Sequence, residues 1–200
     1  MDMRTIVRSS VYLVITTIIF GLCYTLGASA ISRTLFPKEA DGSIIEVGGK
    51  RYSPLLGQQF KAMNHLWGRP MNIDTETFRD KNGNKAMYAW PSNLSPAGDK
   101  FSQLTAVRTA EIKKAHPEML GESVPAELVT VSGSGLDPHI SPAAAEYQVG
   151  RIAAHSGRGE DEVRNIIEEN TEGRLLGIFG EPRVNVLLVN LALDGAAISR

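Results

Sequence analysis

The chain has almost no cysteine, no excess of charge of either sign and, along one stretch, no charge at all. A single cysteine, Cys23, occurs in 200 residues, so no intramolecular disulfide can form and stability must come from packing or from partners. Cys23 lies inside an apolar run and reads as a small apolar residue rather than a redox centre. Lysine and arginine number 21 against 22 acidic residues, a formal net charge of −1, which leaves no basic footprint for a nucleic-acid partner. No Gly-x-x-x-x-Gly-Lys-Ser/Thr run is present, which excludes a P-loop. His65, His116, His139 and His155 have no metal-ligand spacing, so no metal is expected. Internal repeats and low-complexity tracts are also missing.

The uncharged stretch runs from Ser9 to Ser32. About 20 apolar residues cross a bilayer core, so residues 9–32 read as a transmembrane helix, diluted by Thr16, Thr17 and Gly21. Those three small or hydroxylated residues suit close approach of a neighbouring helix. Arg4 and Arg8 precede the run, which predicts a cytoplasmic N-terminus over residues 1–8 and an extracytoplasmic domain over 33–200. Arg33 and Lys38 follow closely on the other side. Ala28-Ser29-Ala30 also fits a small-x-small cleavage pattern, so a cleaved signal peptide is the competing reading.

Residues 33–200 have the length of one ordinary domain. Ser43 to Val47 reads as a short strand turned back by Gly48-Gly49, and Tyr52 to Phe60 and Leu66 to Pro70 as loops. Further loops are expected at Asp80 to Gly83 and Trp90 to Pro96. Pro96 is placed in the first turn of a helix on which Phe101, Leu104, Val107 or Arg108, and Ile112 recur, ending near His116-Pro117. Val124 to Val131 reads as a strand. Ser141 as N-cap and Pro142 at the first helical position start a helix predicted to run to Ser156-Gly157, with a second from Glu160 to about Asn170. A DNA-reading helix pair is rejected, because Glu160, Asp161, Glu162, Glu168 and Glu169 would face a polyanion. Val184 to Leu193 reads as a long, doubly buried strand. Short strands mixed with about three helices indicate an α+β class rather than regular βαβ alternation.

Val131-Ser-Gly-Ser-Gly-Leu-Asp-Pro-His-Ile-Ser-Pro142 is the most constrained polar run. Gly133 and Gly135 permit positive φ, and Pro138 and Pro142 fix φ on either side. Such a loop can grip an anion or another protein, or only join a strand to a helix. Ser134, Asp137 and His139 include the residue types of a catalytic triad, but one short loop does not supply its geometry. Asp99-Lys100 opens like the aspartyl-phosphate motif of ion pumps, yet Phe101-Ser102 follow, so that chemistry is excluded. No catalytic residues are assigned.

The run Ser132 to Ala145, with Gln148 and Arg151 beyond it, resembles the signature of the KdpC family, the C subunits of bacterial high-affinity potassium-transporting ATPases. Leu56-Gly57-Gln58 with Phe60, Gly68-Arg69-Pro70, Ser92-Asn93-Leu94 and Gly180-Glu-Pro-Arg-Val-Asn-Val-Leu187 are similar to family motifs in the family's order. Met71 and Ala89-Trp90-Pro91 depart from the pattern locally. The resemblance implies a non-catalytic assembly and regulatory subunit in the cell (inner) membrane. Its partners would be a channel-like potassium subunit, a P-type ATPase subunit that hydrolyses ATP, and a small single-span subunit. It further implies a chaperone-like rise in the pump subunit's ATP affinity, with Ser132, Gly133, Ser134, Gly135 and Gln148 as the matching nucleotide-binding candidates and ATP as the one associated ligand. Arg69, Asn93, Asp137, His139 and Arg151 are the candidates for partner or structural loops. An extracytoplasmic location opposes direct contact with cytoplasmic ATP and favours docking on the outer mouth of the potassium subunit. A free-standing exported binding protein and a cytoplasmic ATP-binding chaperone are the alternatives.

Overall fold

The computed structural model describes residues 2–196. It divides into two units, residues 1–44 and 45–200.

In the first unit, α1 (Met3–Thr16) continues through a π-helical segment, Thr17–Cys23, into α2 (Tyr24–Leu35). The result is one apolar helix of 33 residues, Met3–Leu35, long enough to cross a membrane. It carries Arg4, Arg8 and Arg33 on its flanks and so overruns the uncharged stretch at both ends. No residue of the helix is buried within the chain. The Thr16 hydroxyl donates back to the Tyr12 and Leu13 carbonyls at 2.9 and 3.0 Å, so this polar group adds no unsatisfied donor to an apolar surround. Asp2 caps the start by accepting from the Arg4 N–H. Phe36 leaves the helix because Pro37 follows it, and Pro37 opens the single turn α3 (Pro37–Ala40).

The second unit begins with the expected hairpin, β1 (Ile45–Val47) and β2 (Lys50–Tyr52). Gly48 and Gly49 form its turn at φ +57° and +75°, as a two-residue turn with both central residues left-handed requires. β3 (Ile73–Asp74) and β4 (Tyr88–Ala89) make a second antiparallel pair. α4 (Asp99–Ala115) ends at His116 as predicted but starts three residues after Pro96. Pro96 sits in the turn closed by the Gly98 N–H on the Ser95 carbonyl, and extended Gly98 is the true cap. Of the apolar positions expected to recur on α4 only Ile112 is buried.

Two expected strands are corrected. Val124 to Val131 is an irregular passage around a 3-10 turn, Ala126–Leu128. Pro125 begins the turn, and the Thr130 N–H and hydroxyl both return to the Ala126 carbonyl, which removes them from any ladder. Val184 to Leu193 is strand only at its start: β7 (Arg183–Asn185) passes directly into α8 (Val186–Leu193). Asn185 makes that switch by accepting the Leu188 N–H at 3.1 Å, an N-cap inside an apolar run. The run's continuous apolarity reflects a helix buried nearly all round, with Val186, Leu187, Val189, Asn190, Leu191 and Leu193 inside.

β5 (His139–Ile140), β7 and β6 (Thr171–Glu172) form a three-stranded antiparallel sheet with β7 central. The helix predicted from Ser141 to Ser156 is two helices, α5 (Pro142–Glu146) and α6 (Val149–Ser156), broken at Tyr147-Gln148. Its ends are as expected, Ser141 accepting from the Ala144 N–H and Gly157 closing α6 at φ +73°. α7 (Glu160–Glu169) follows, its acidic first turn favourable to the helix dipole. Ile140, Ala144, Val149, Ile152, Val163, Val184 and Val189 pack together with Leu66 at the centre of the core. The mixture of helices and short antiparallel strands is the expected α+β class.

Leu66 lies in an irregular segment, yet it is fully buried. The buried Asn190 amide holds its backbone from both sides, accepting the Leu66 N–H at 2.7 Å and donating to the Leu66 carbonyl at 2.9 Å. Asn190→Leu keeps the branched shape of the side chain but leaves both Leu66 groups unpaired. It is expected to destabilise the domain by about 2–4 kcal/mol in a denaturant titration of the detergent-solubilised chain.

Candidate functional site

The Ser-Gly run is a joint clamped from two directions. The Gly135 N–H closes a turn on the Ser132 carbonyl, and the Ser132 and Ser134 hydroxyls lie 3.2 Å apart. Ser134 also accepts the Leu136 N–H at 3.1 Å. The Gly135 carbonyl accepts the Asn72 N–H, and the Leu136 carbonyl accepts the Gly57 N–H at 2.9 Å. Gly135 is left-handed at φ +72°, and a Cβ there would lie 2.3 Å from the Trp90 carbonyl oxygen. Ser132 and Gly135 are therefore buried in the joint, while Gly133 and Ser134 face solvent. Asp137 caps the next turn by accepting the His139 N–H, and its carboxylate lies 3.6 Å from Arg69. The run ends as β5, so His139 and Ile140 belong to the sheet rather than to the loop.

Arg69 and Asp137 are thus brought together, and Asn93 is not part of that pair; it is exposed at φ +51°. The other Arg69 contacts are long, 3.5 Å to both the Thr130 hydroxyl and the Val131 carbonyl, and its Nε–H is buried without a hydrogen-bond partner. Arg69 lines an open cleft of about 450 Å³ with Phe60, Trp67, Arg108, Ile112 and Leu128.

Gln148 and Arg151 belong to a second cluster inside the domain. Arg151 is almost completely buried. Its five N–H groups reach the His116 Nε2 at 2.9 Å, the Ala62 and Met63 carbonyls at 3.4 and 2.5 Å, the His65 carbonyl at 2.9 Å and the Gln148 Oε1 at 2.8 Å. The guanidinium also lies 4.2 Å from the centre of the Trp67 ring. The Gln148 amide is filled in the same way. It accepts the Trp67 N–H at 2.9 Å along with Arg151, and donates to the Trp67 and Ala144 carbonyls at 3.0 and 3.1 Å. The helix break at Gln148 is what lets this side chain face the irregular segment. His116, Trp67 and Asn190 complete this network, a role the sequence did not assign to them; for Asn190 the available signal was a single polar residue inside an apolar run.

A family model described as KdpC, K+-transporting ATPase, c chain, matches residues 6–195. The chain belongs to the KdpC family. Relatives named potassium-transporting ATPase KdpC subunit include one from Clostridium botulinum (strain Alaska E43 / Type E3), 52% identical over 94% of both chains. Another from Clostridium perfringens is 51% identical over 96% of this chain and 98% of its own, and one from Sorangium cellulosum is 44% identical over 93% and 95%. The match spans both the apolar helix and the folded domain of this KdpC-family chain.

Two imidazoles of the domain titrate abnormally. His116 is held below the usual 6.5 chiefly by burial, against the pull of the Ile112 carbonyl, with the Arg151 charge adding to the depression. The Ile112 carbonyl lies 2.7 Å from Nδ1, which places the proton there and leaves Nε2 to accept from Arg151. His139 is likewise lowered, first by burial and then by Arg183, despite the nearby Glu172 and Asp137 carboxylates. Burial lowers the Arg151 guanidinium to about 10, so it stays charged at neutral pH.

The unfolded chain takes up protons at these histidines before the folded one does. Stability present above pH 6.5 is therefore expected to fall as pH drops from 6.5 through the folded values, read as a falling urea midpoint between pH 7.5 and 5.5. Gly135→Ala is expected to lower stability by about 2–3 kcal/mol in thermal unfolding. Gly133→Ala, where nothing lies within 4 Å of an added Cβ, should cost less than about 1 kcal/mol.

Proposed function

We propose that the chain is the membrane-anchored assembly and regulatory subunit of an ATP-driven potassium-uptake complex. The observation that carries this reading is the match to the KdpC family over 6–195, which takes in the apolar helix and the domain together. The helix has no buried face within the chain, as a span that meets lipid or neighbouring helices requires. Its proposed partners are a channel-like potassium subunit, a P-type ATPase subunit and a small single-span subunit. Arg4 and Arg8 support a cytoplasmic N-terminus, which puts the domain from Ile45 onward outside the cell membrane. There it would dock on the potassium subunit and shape ion access, with Arg69 and Asp137 on the joint and the exposed Asn93 as contact candidates.

The expected ATP site on Ser132, Gly133, Ser134, Gly135 and Gln148 has weaker support. The Gln148 amide has all its hydrogen-bonding positions filled inside the domain, and Ser132 and Gly135 are buried in the joint. A rise in the pump subunit's ATP affinity is better supported as an effect passed through the complex than as phosphate contact by these residues.

Cysteines placed singly at the exposed positions Ser134 and Gly173, in a Cys23→Ala chain, test the orientation. Labelling of intact cells, with the outer membrane permeabilised where there is one, by an impermeant thiol reagent is expected at both. Labelling only after the cytoplasmic membrane is broken would reverse the assignment. Extraction in mild detergent should bring down a P-type ATPase subunit with the tagged chain, and a monomer free of one would refute the assembly role.

A further inference from the structure

Between β6 and β7 the chain projects a tip, Arg174 to Glu181, whose apolar side chains lie outside every core of the described residues. Leu175, Leu176, Ile178 and Phe179 are 70%, 81%, 71% and 62% exposed. The domain's own packing gives no reason for four large apolar groups here.

The tip has a fixed backbone. Leu175 and Phe179 form an antiparallel bridge, with the Leu175 N–H donating to the Phe179 carbonyl at 2.8 Å and the Phe179 N–H returning to the Leu175 carbonyl at 3.0 Å. Two further bonds, from the Gly177 N–H to the Arg174 carbonyl and from the Ile178 N–H to the Leu175 carbonyl, close the turn. Leu176 stands at φ +55°, in the left-handed region where glycine or asparagine is the easier residue. Neither local backbone preference nor internal packing accounts for a leucine there.

The charges around the tip identify the kind of contact. Arg174 pairs with Glu181 at 2.7 Å, and Arg183 pairs with Glu172 at 2.6 Å. Among the described residues the rim is self-neutralised, each of its arginines paired with a glutamate, and offers no spare cation to hold the tip on an anionic lipid surface, where apolar loops and basic residues act together. An apolar centre inside a neutral polar rim is instead the pattern of a protein contact, and its prefolded shape limits the ordering that binding requires.

We infer that the tip, through Leu176 and Ile178 above all, inserts into an apolar, uncharged pocket on another protein subunit of the potassium-transporting complex. This rests on the assembly reading above. The tip is joined to the central strand β7, which runs straight into the buried helix α8, so a partner gripping the tip holds the core of the domain.

The test uses the full-length tagged chain in the assembled complex. Leu176→Asn with Ile178→Asn is expected to leave the melting temperature of the solubilised chain within about 2 °C, since position 176 suits asparagine. The amount of ATPase subunit retained through size-exclusion chromatography should fall about tenfold or more. A photo-crosslinking residue at position 178 is expected to label a protein subunit of the complex. Unchanged retention overturns the inference, as does crosslinking confined to lipid or to a second copy of this chain. If the unaltered chain itself retains no ATPase subunit, the assembly reading fails, whereas retention by both forms defeats only the role of the tip.

Discussion

The domain depends on one buried cation. Arg151 carries a charge that burial opposes, and among the described residues it has no carboxylate within ion-pair distance. A guanidinium in that position must place all five of its N–H groups on good acceptors or destabilise the fold by several kcal/mol. Three of those acceptors are the carbonyls of Ala62, Met63 and His65, which belong to a segment without helix or ladder of its own. The next two residues are held by amides, Leu66 by Asn190 and Trp67 by Gln148, each through both its N–H and its carbonyl. Side chains from α6, from the break before it and from α8 thus take the place of a neighbouring strand. In a chain with one cysteine, this network fixes an irregular passage through the core that a secreted protein would often secure with disulfides.

That arrangement explains where the sequence was readable. Most signals confined to a few neighbouring residues held: Gly48-Gly49 made its turn, Ser141-Pro142 started a helix, Gly157 ended one, and His116-Pro117 stopped α4, while Pro96 closed a turn ahead of its helix instead of opening it. Readings that needed a distant partner failed. An apolar run such as Val184 to Leu193 has no period that separates a doubly buried strand from an all-round buried helix. The decision falls to Asn185, whose capping bond looks like an ordinary polar interruption in one dimension. The break at Gln148 is equally hidden, because its reason is Trp67, 81 residues away.

The Ser-Gly loop shows the same division. Its glycines and prolines announced a fixed shape, and Gly135 at φ +72° against the Trp90 carbonyl bears that out. What the shape is for was not legible, since it depends on Gly57, Asn72 and Trp90 closing over it. Among residues that were assigned together, Arg69 and Asp137 do meet, whereas Arg151 is part of the internal network rather than of any loop surface.

A subunit that works by contact should keep its polar groups satisfied internally and leave apolar groups unsatisfied where the partner will be. The hydrogen bonds of Arg151, Gln148 and Asn190 close inside the domain, so they have little left to offer a ligand. The unused affinity is elsewhere, in a helix with no buried residue and in four apolar side chains on the β6–β7 tip. Both are hydrophobic surfaces, one suited to lipid and neighbouring helices and the other to a formed pocket. The internal network bears on the proposed docking through Asn190, which ties α8, the helix that continues the strand behind the tip, to the segment at Leu66; a docking element mounted on a yielding core would lose the advantage of its fixed shape.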